Sequence, residues 1–595
     1  MPAELNTPFP AASPIRWDPR AASLLLVAAM CCVPFLLPRH FPPLRTFYDE
    51  WIAFTLGTSA IAFAAFGRRT QGTRVSTPAL WLFAFSLLLL FYLASSMVAY
   101  PQGSMLWALY VLYAALLVIL GYDLASHFGR DRVCTTICTL LLLGATLNAI
   151  VGVLQFVGIP PQIDDFVSYL NGSRAIGNIG QANLYTNYLS LGLASVAYLN
   201  AKGKISAAAS IGAGCLLVIG ISLAGSRASI VYSAIFVLLG VIAVRLGKSM
   251  PDKRLGYTAI AIGASSVLVQ WLLPASLNFY GATIQGTFYR PSGPDWASTQ
   301  DESVGLRLQA WQLAIQIFGA SPWMGVGPGE FAGAGFALGL PPALATGEIW
   351  TSPHNMVLQL LAETGLLGAV LVCLALWTWF RQAAIEFCSR PTPAGWWLTS
   401  CASVEITHAL LEYPLWYAHF LGITALILGV GSTSTIRMPP LALKAVLACS
   451  AIAGAILLGI TLRDYLRFDL ASPIHAGRSL APDAEFQSGL DTIAGLRGGL
   501  LAPRAELWLF LSVPTTPQAL DEKLEIGARV LRTWPTFDVI LKQCIFLALA
   551  GRDAEAQALL SRALTTFPKR KSTALQTVES APDPARRVLE PILLP

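Results

Sequence analysis

Thr351-Ser-Pro-His-Asn-Met-Val-Leu-Gln-Leu-Leu-Ala-Glu-Thr-Gly365 runs straight into Leu366-Leu-Gly-Ala-Val-Leu-Val-Cys-Leu-Ala-Leu-Trp-Thr-Trp-Phe380. The second half completes an apolar run long enough to cross a ~30 Å hydrocarbon core. The first half sets a histidine and a carboxylate at its mouth. Ser352 suits an N-cap and Pro353 a first helical turn, so His354 is expected where free N–H groups and the positive end of the helix dipole disfavour its protonation. A neutral imidazole is a usable base, and intramembrane polar groups are rarely kept without cause.

Outward from this segment the same pattern recurs. The chain has 595 residues, of which 55% are hydrophobic and only 12% charged, with a mean hydropathy of +0.60. That composition excludes an ordinary soluble globule. A window of ~19 residues finds about thirteen spans, with cores at 21–38, 50–66, 78–100, 105–121, 135–158, 183–200, 206–224, 228–245, 256–274, 354–380, 396–412, 414–431 and 441–461. The expected fold is therefore an all-α polytopic membrane protein. It divides into an N-terminal transmembrane block over 1–274, a loop over 275–353, a second block over 354–462 and a helical tail over 463–595.

Lys and Arg in short loops set the orientation. With the N-terminus inside, Arg16, Arg20, Arg68, Arg69 and Arg74 fall on the cytoplasmic face, as do Arg130, Arg132, Lys202 and Lys204. Arg245, Lys248, Lys253, Arg254, Arg381, Arg390 and Arg437 follow. The long loop and the tail are then outside. The first apolar run shows no clear cleavage site and reads as a retained span. The net charge of +6 reports this topology and not nucleic-acid binding. Most of the ten cysteines sit in spans as small apolar fillers, and Cys134 and Cys138 have no clustered histidines, so neither a disulfide framework nor a metal site is expected.

The outer loop carries a helical pattern over 302–318, broken by Ser321-Pro-Trp-Met-Gly-Val-Gly-Pro-Gly-Glu330. A loop with its own helix reads as a lid. In the tail, 536–567 reads as two helices around Gly551-Arg552 and 503–532 as another pair, a helical appendage expected to bind a partner.

Three further clusters hold chemistry. Ser173-Arg-Ala-Ile-Gly-Asn-Ile-Gly-Gln-Ala-Asn-Leu-Tyr-Thr-Asn-Tyr188 gathers amides at an outer boundary. Gln181 and Asn183 either hold a sugar or phosphate or clamp helices together. Arg174, Arg227 and Arg307 either snorkel singly to headgroups or converge on a pyrophosphate. Glu405, His408 and Glu412 fall at helical spacing on one face of the eleventh span, as a site or as a structural ladder. A phosphate loop, an outer Asp-x-Asp pair and HExxH are absent, which argues against nucleotide hydrolysis and metalloprotease chemistry.

Gly177-Asn-Ile-Gly-Gln-Ala-Asn183, Pro353-His-Asn-Met-Val-Leu-Gln-Leu-Leu-Ala-Glu-Thr-Gly-Leu-Leu-Gly368 and Leu411-Glu-Tyr-Pro-Leu-Trp-Tyr417 together resemble the O-antigen ligase and polymerase superfamily. Within it the chain is most similar to the bacterial protein O-oligosaccharyltransferases that glycosylate pilins. The resemblance covers roughly residues 20–460. It implies transfer of an oligosaccharide en bloc, without metal or other cofactor, from undecaprenyl pyrophosphate to a Ser or Thr hydroxyl of a pilin-like protein. The site would face the periplasm from the bacterial inner membrane. By position, His354 would activate the acceptor hydroxyl, and Arg174, Arg227 and Arg307 would hold the departing pyrophosphate. Gln181, Asn183 and Tyr413 would orient glycan or acceptor, with Glu412 and His408 as further substrate contacts. Ligation to lipid A core or polymerisation of the same glycans is the alternative. A lipid-linked-glycan flippase is a third reading, against which the one-sided clustering of polar groups argues.

Overall fold

The computed structural model describes residues 18–40, 42–67, 74–158, 163–168, 174–281, 295–339, 349–472 and 484–594. Arg16, Arg68 and Arg69, used above for orientation, lie outside them. The N-terminal helices are α1 (Pro19–Met30), α2 (Phe47–Gly67), α3 (Thr77–Phe91), α4 (Pro101–Phe128) and α5 (Arg130–Val157), then α6 (Ala182–Ala201), α7 (Ala207–Ala224), α8 (Ala228–Leu246) and α9 (Met250–Gly281). The outer loop supplies α10 (Asp295–Ala320) and α11 (Phe331–Ala337). The second block holds α12 (Met356–Ser389), α13 (Pro393–Ala409), α14 (Ala418–Gly431) and α15 (Pro440–Ala471).

Each expected span coincides with a helix, and the boundaries expected at 274 and 462 fall inside α9 and α15. Among the described residues, ten helices are long and apolar enough to cross a membrane, whereas α6, α13 and α14 do not meet that measure. The reason is clearest in α6, where nearly every side chain is buried, including Thr186, Asn187, Ser190 and Ser195. Its neighbours are protein, not lipid, so it tolerates polar residues that a lipid-facing helix would not.

Basic residues gather at one end of the bundle. There Arg74 pairs with Arg437 in a two-stranded antiparallel bridge, Lys202 reaches Asp131 at 2.8 Å and Arg20 reaches Asp123 at 3.2 Å. The opposite end carries His354 and the tail.

α12 is not continuous. Gly365 takes φ 63° and ψ −165°, a conformation open essentially to glycine alone. The Gly-rich turn over 321–330 repairs the ladder. Val326 N donates to Ala362 O at 3.0 Å, Gly327 N to Glu363 O at 2.9 Å, and Leu366 N to Pro322 O at 2.8 Å. Glu363 adds its side chain, accepting from Gly329 N at 3.1 Å and Phe331 N at 3.3 Å. Backbone groups freed inside a membrane must find partners in the protein, and here an outer loop provides them.

The tail holds α16 (Ala484–Ala494) and three antiparallel pairs: α17 (Ala502–Ser512) with α18 (Leu520–Thr533), α19 (Phe537–Leu549) with α20 (Asp553–Thr566), and α21 (Lys571–Glu579) with α22 (Asp583–Leu593). Gly551, at φ 71°, makes the turn expected between α19 and α20. The pairs share a core that includes Ile540, Phe546, Leu560 and Leu589 and also takes in Phe336 of α11. Tail and bundle are joined by Arg532 to Glu330 at 2.9 Å and by the Tyr100 hydroxyl donating to Glu506 at 3.0 Å.

Candidate active site

The stretch before α12 departs from the expectation. Asn355, not Ser352, caps the helix, its Oδ1 accepting from Val357 N and Leu358 N at 3.1 Å. Ser352 Oγ instead accepts from His354 N at 3.1 Å, and Pro353 lies before the first turn. His354 therefore stands outside the helix, with a left-handed backbone at φ 51°. Such a conformation costs a non-glycine residue about 1–2 kcal/mol and persists where the surroundings impose it. Here Trp311 of α10 donates its indole N–H to Pro353 O at 3.0 Å, tying the outer helix to this segment.

The His354 ring is held from three sides. Trp350 packs edge-on with centroids 5.2 Å apart, and Tyr413 does so at 5.1 Å. Nδ1 lies 2.7 Å from Glu412 Oε2. An ionised carboxylate only accepts, so Nδ1 carries a proton and Nε2 is left as the acceptor.

Glu412 is the hub. Its other oxygen accepts from Arg307 Nη2 at 2.7 Å and from Asn183 Nδ2 at 2.8 Å. Asn183 Oδ1 in turn accepts from Arg174 Nη2 at 3.1 Å and from Ser226 Oγ at 2.9 Å. Burial pushes the Glu412 carboxyl up, but the His354 hydrogen bond and the charge of Arg307 outweigh it and hold the group below the usual carboxylate range. One charge network thus links α6, the α7–α8 turn, α10, the α12 entrance and the α13–α14 loop.

Arg174, Asn183, Arg307, His354, Glu412 and Tyr413 come together in the structure. Arg227 follows Ser226 at the start of α8, at the same end. Two expectations change. α13 ends at Ala409, so Glu412 belongs to a turn and does not share a helical face with Glu405 and His408. The last two are fully buried, and His408 Nδ1 pairs with the Tyr232 hydroxyl. Proposed above as a substrate contact, His408 lies in the bundle interior because the helix stops before the face can continue outward.

The amide cluster divides between its two readings. Asn178 clamps loops, donating to Leu36 O at 3.0 Å and Phe166 O at 2.9 Å. Gln181 caps α6, accepting from Leu184 N at 2.6 Å. Only Asn183 joins the charged network. Ser226, Trp311 and Trp350 were missed by the sequence reading; Ser226 precedes Arg227 in the chain, but nothing local marked the two tryptophans. Among the described residues no three of His, Cys, Asp or Glu converge as a bound metal ion would need.

Two matches cover the site from residue 212 onward. Residues 212–373 match a family described as O-Antigen ligase, a span that includes Arg227, Arg307 and His354. Residues 396–581 match one described as Virulence factor membrane-bound polymerase, C-terminal, a span that includes Glu412, Tyr413 and most of the tail. The chain is also 26% identical over 454 residues to a General O-oligosaccharyltransferase of Acinetobacter baylyi (strain ATCC 33305 / BD413 / ADP1), covering 74% of this chain and 75% of that protein.

Proposed function

We infer that this protein, a member of the O-antigen ligase superfamily, transfers an oligosaccharide en bloc from undecaprenyl pyrophosphate to Ser or Thr of a periplasmic protein, a pilin-like one, without metal. The observation that carries the reading is Glu412, which holds His354 through one oxygen and Arg307 through the other. A base and an anion-binding cation are thereby fixed on one carboxylate. The relative named as an O-oligosaccharyltransferase supports the choice of protein as acceptor.

In the reaction so inferred, the acceptor hydroxyl oxygen forms a bond to the anomeric carbon of the glycan as the bond from that carbon to the pyrophosphate oxygen breaks. The hydroxyl proton passes to His354 Nε2, and the electron pair leaves on the pyrophosphate. Arg174, Arg227 and Arg307 counter that charge with guanidinium donors. An imidazole is too weak a base to ionise an alcohol in advance, so proton transfer runs together with departure of the phosphate.

The test is transfer from lipid-linked oligosaccharide to purified pilin with chelator present, comparing the intact protein with His354→Ala at equal expression. Glycosylated pilin from the parent alone is the expected result. The match to the ligase family over 212–373 favours a second reading, in which lipid A core or a growing glycan is the acceptor. Glycan appearing there and not on pilin would replace the first reading with the second.

A further inference from the structure

A cavity of about 820 Å³ opens beside the site and is used by no step above. Its walls follow α2 from Thr46 to Ile61, α4 from Gly103 to Leu116 and α15 from Cys449 to Thr461. At 1.5 Å per residue it descends about 20 Å along α4. The deep part is apolar. The tail roofs its mouth with Pro503, Arg504 and Trp534. Thr351 and Trp416 form the wall nearest His354.

The lining cation is Arg504, while the lining carboxylates Glu50, Glu330 and Glu363 are engaged by Tyr110, Arg532 and the Gly329 N–H. The Arg504 guanidinium lies 4.9 Å over the Trp534 ring, and among the described residues it forms no ion pair. Stacking uses the face of the guanidinium and leaves its edge donors for an anion. A cation at the mouth of a deep apolar cleft between membrane helices matches a phosphate carrying hydrocarbon chains. A polypeptide fits poorly, since its backbone N–H and C=O groups would lie unpaired against apolar walls.

The donor lipid is also a poor occupant. Arg307 and Asn183 meet Glu412, and Arg174 meets Asn183, on the face of the α13–α14 loop turned toward α6 and α10, whereas Trp416 of the same loop lines the cavity. A second apolar groove, lined by Met356, Leu360 and Leu415 near His354 and sharing Leu106, Trp107, Tyr110 and Trp416 with the cavity wall, opens between α3, α4, α12 and α14. It can take a chain whose head is at the arginines.

We propose that the cavity under the tail binds a glycerophospholipid of the surrounding bilayer, its phosphate on Arg504 and its chains between α2, α4 and α15, so that lipid forms part of the joint between tail and bundle. This does not rest on the transfer reaction inferred above.

The test is native mass spectrometry with lipid extraction on the full chain purified in mild detergent, then rebinding of phosphatidylglycerol after delipidation. The expected result is one retained glycerophospholipid, with rebinding about tenfold weaker in Arg504→Gln, as loss of one charge-assisted contact implies. Gly103→Leu supplies a second arm: a Cβ there meets no atom within 4 Å, so the side chain fills the cavity while Arg504 stays. It too should lower rebinding. Equal retention in the parent and both variants would overturn the proposal. So would a polyprenyl-linked species as the retained lipid, or photo-crosslinking from the cavity mouth to an acceptor protein and not to lipid.

Discussion

At the scale of the residue, the proposed reaction rests on Glu412 with the groups it holds. Replacing a carboxylate that orients a catalytic histidine by an amide costs about 10⁴ in turnover in the serine proteases, where the imidazole then adopts the wrong tautomer. Glu412→Gln is therefore expected to lower turnover by about 10³–10⁴-fold, with little change in KM for the donor. Arg307→Ala removes one charge donor and should cost about 10²–10³. Both are read from initial rates with saturating lipid-linked oligosaccharide. The carboxyl of Glu412 is held below its ordinary value, so its folded pKa lies below its unfolded one. Its contribution to stability is then complete above the ordinary carboxylate value and is lost as pH falls through the lowered one. Thermal unfolding followed against pH should show a flatter acid limb in Glu412→Gln than in the parent.

At the scale of the element, helix identity was written in hydropathy, but helix ends and breaks were not. The cap at Asn355 uses local donors, Val357 N and Leu358 N, but Ser352 offered the same chemistry, and hydropathy neither separates the two nor marks the stop of α13 at Ala409. Gly365 shows the same limit. In sequence it is one of 49 glycines, yet a Cβ there would fall on backbone atoms of Trp323 and Met324. Gly365→Ala combines that clash with a forbidden φ and should destabilise the outer half of α12 by about 3 kcal/mol or more. Hydrogen exchange would reveal it as lost protection in both α12 and the 321–330 turn. Retained protection would show that the turn does not depend on the break.

At the scale of the whole molecule, span positions and a two-sided charge distribution were legible, because burial in lipid permits few alternatives. The joint between tail and bundle was not legible, since it is made by scattered polar residues with no periodicity. Glu506 is its centre, taking Tyr100 from the bundle, and Arg497 at 3.1 Å and Arg529 at 2.7 Å from the tail. Removing one partner of a buried charge cluster costs about 3–5 kcal/mol. Glu506→Ala is thus expected to free the tail for limited proteolysis while the bundle stays folded; a tail equally resistant would mean that the apolar contacts of Phe336 suffice to hold it. The broken ladder of α12 bears finally on how such a chain is made. As an isolated segment α12 presents the insertion machinery with a buried acid, Glu363, and with carbonyls that have lost their helical donors. An acid within a span costs on the order of 2–3 kcal/mol at insertion. α12 should therefore integrate poorly when tested alone in a reporter and well when residues 295–339 precede it, which would make the loop a chaperone for the span that follows it.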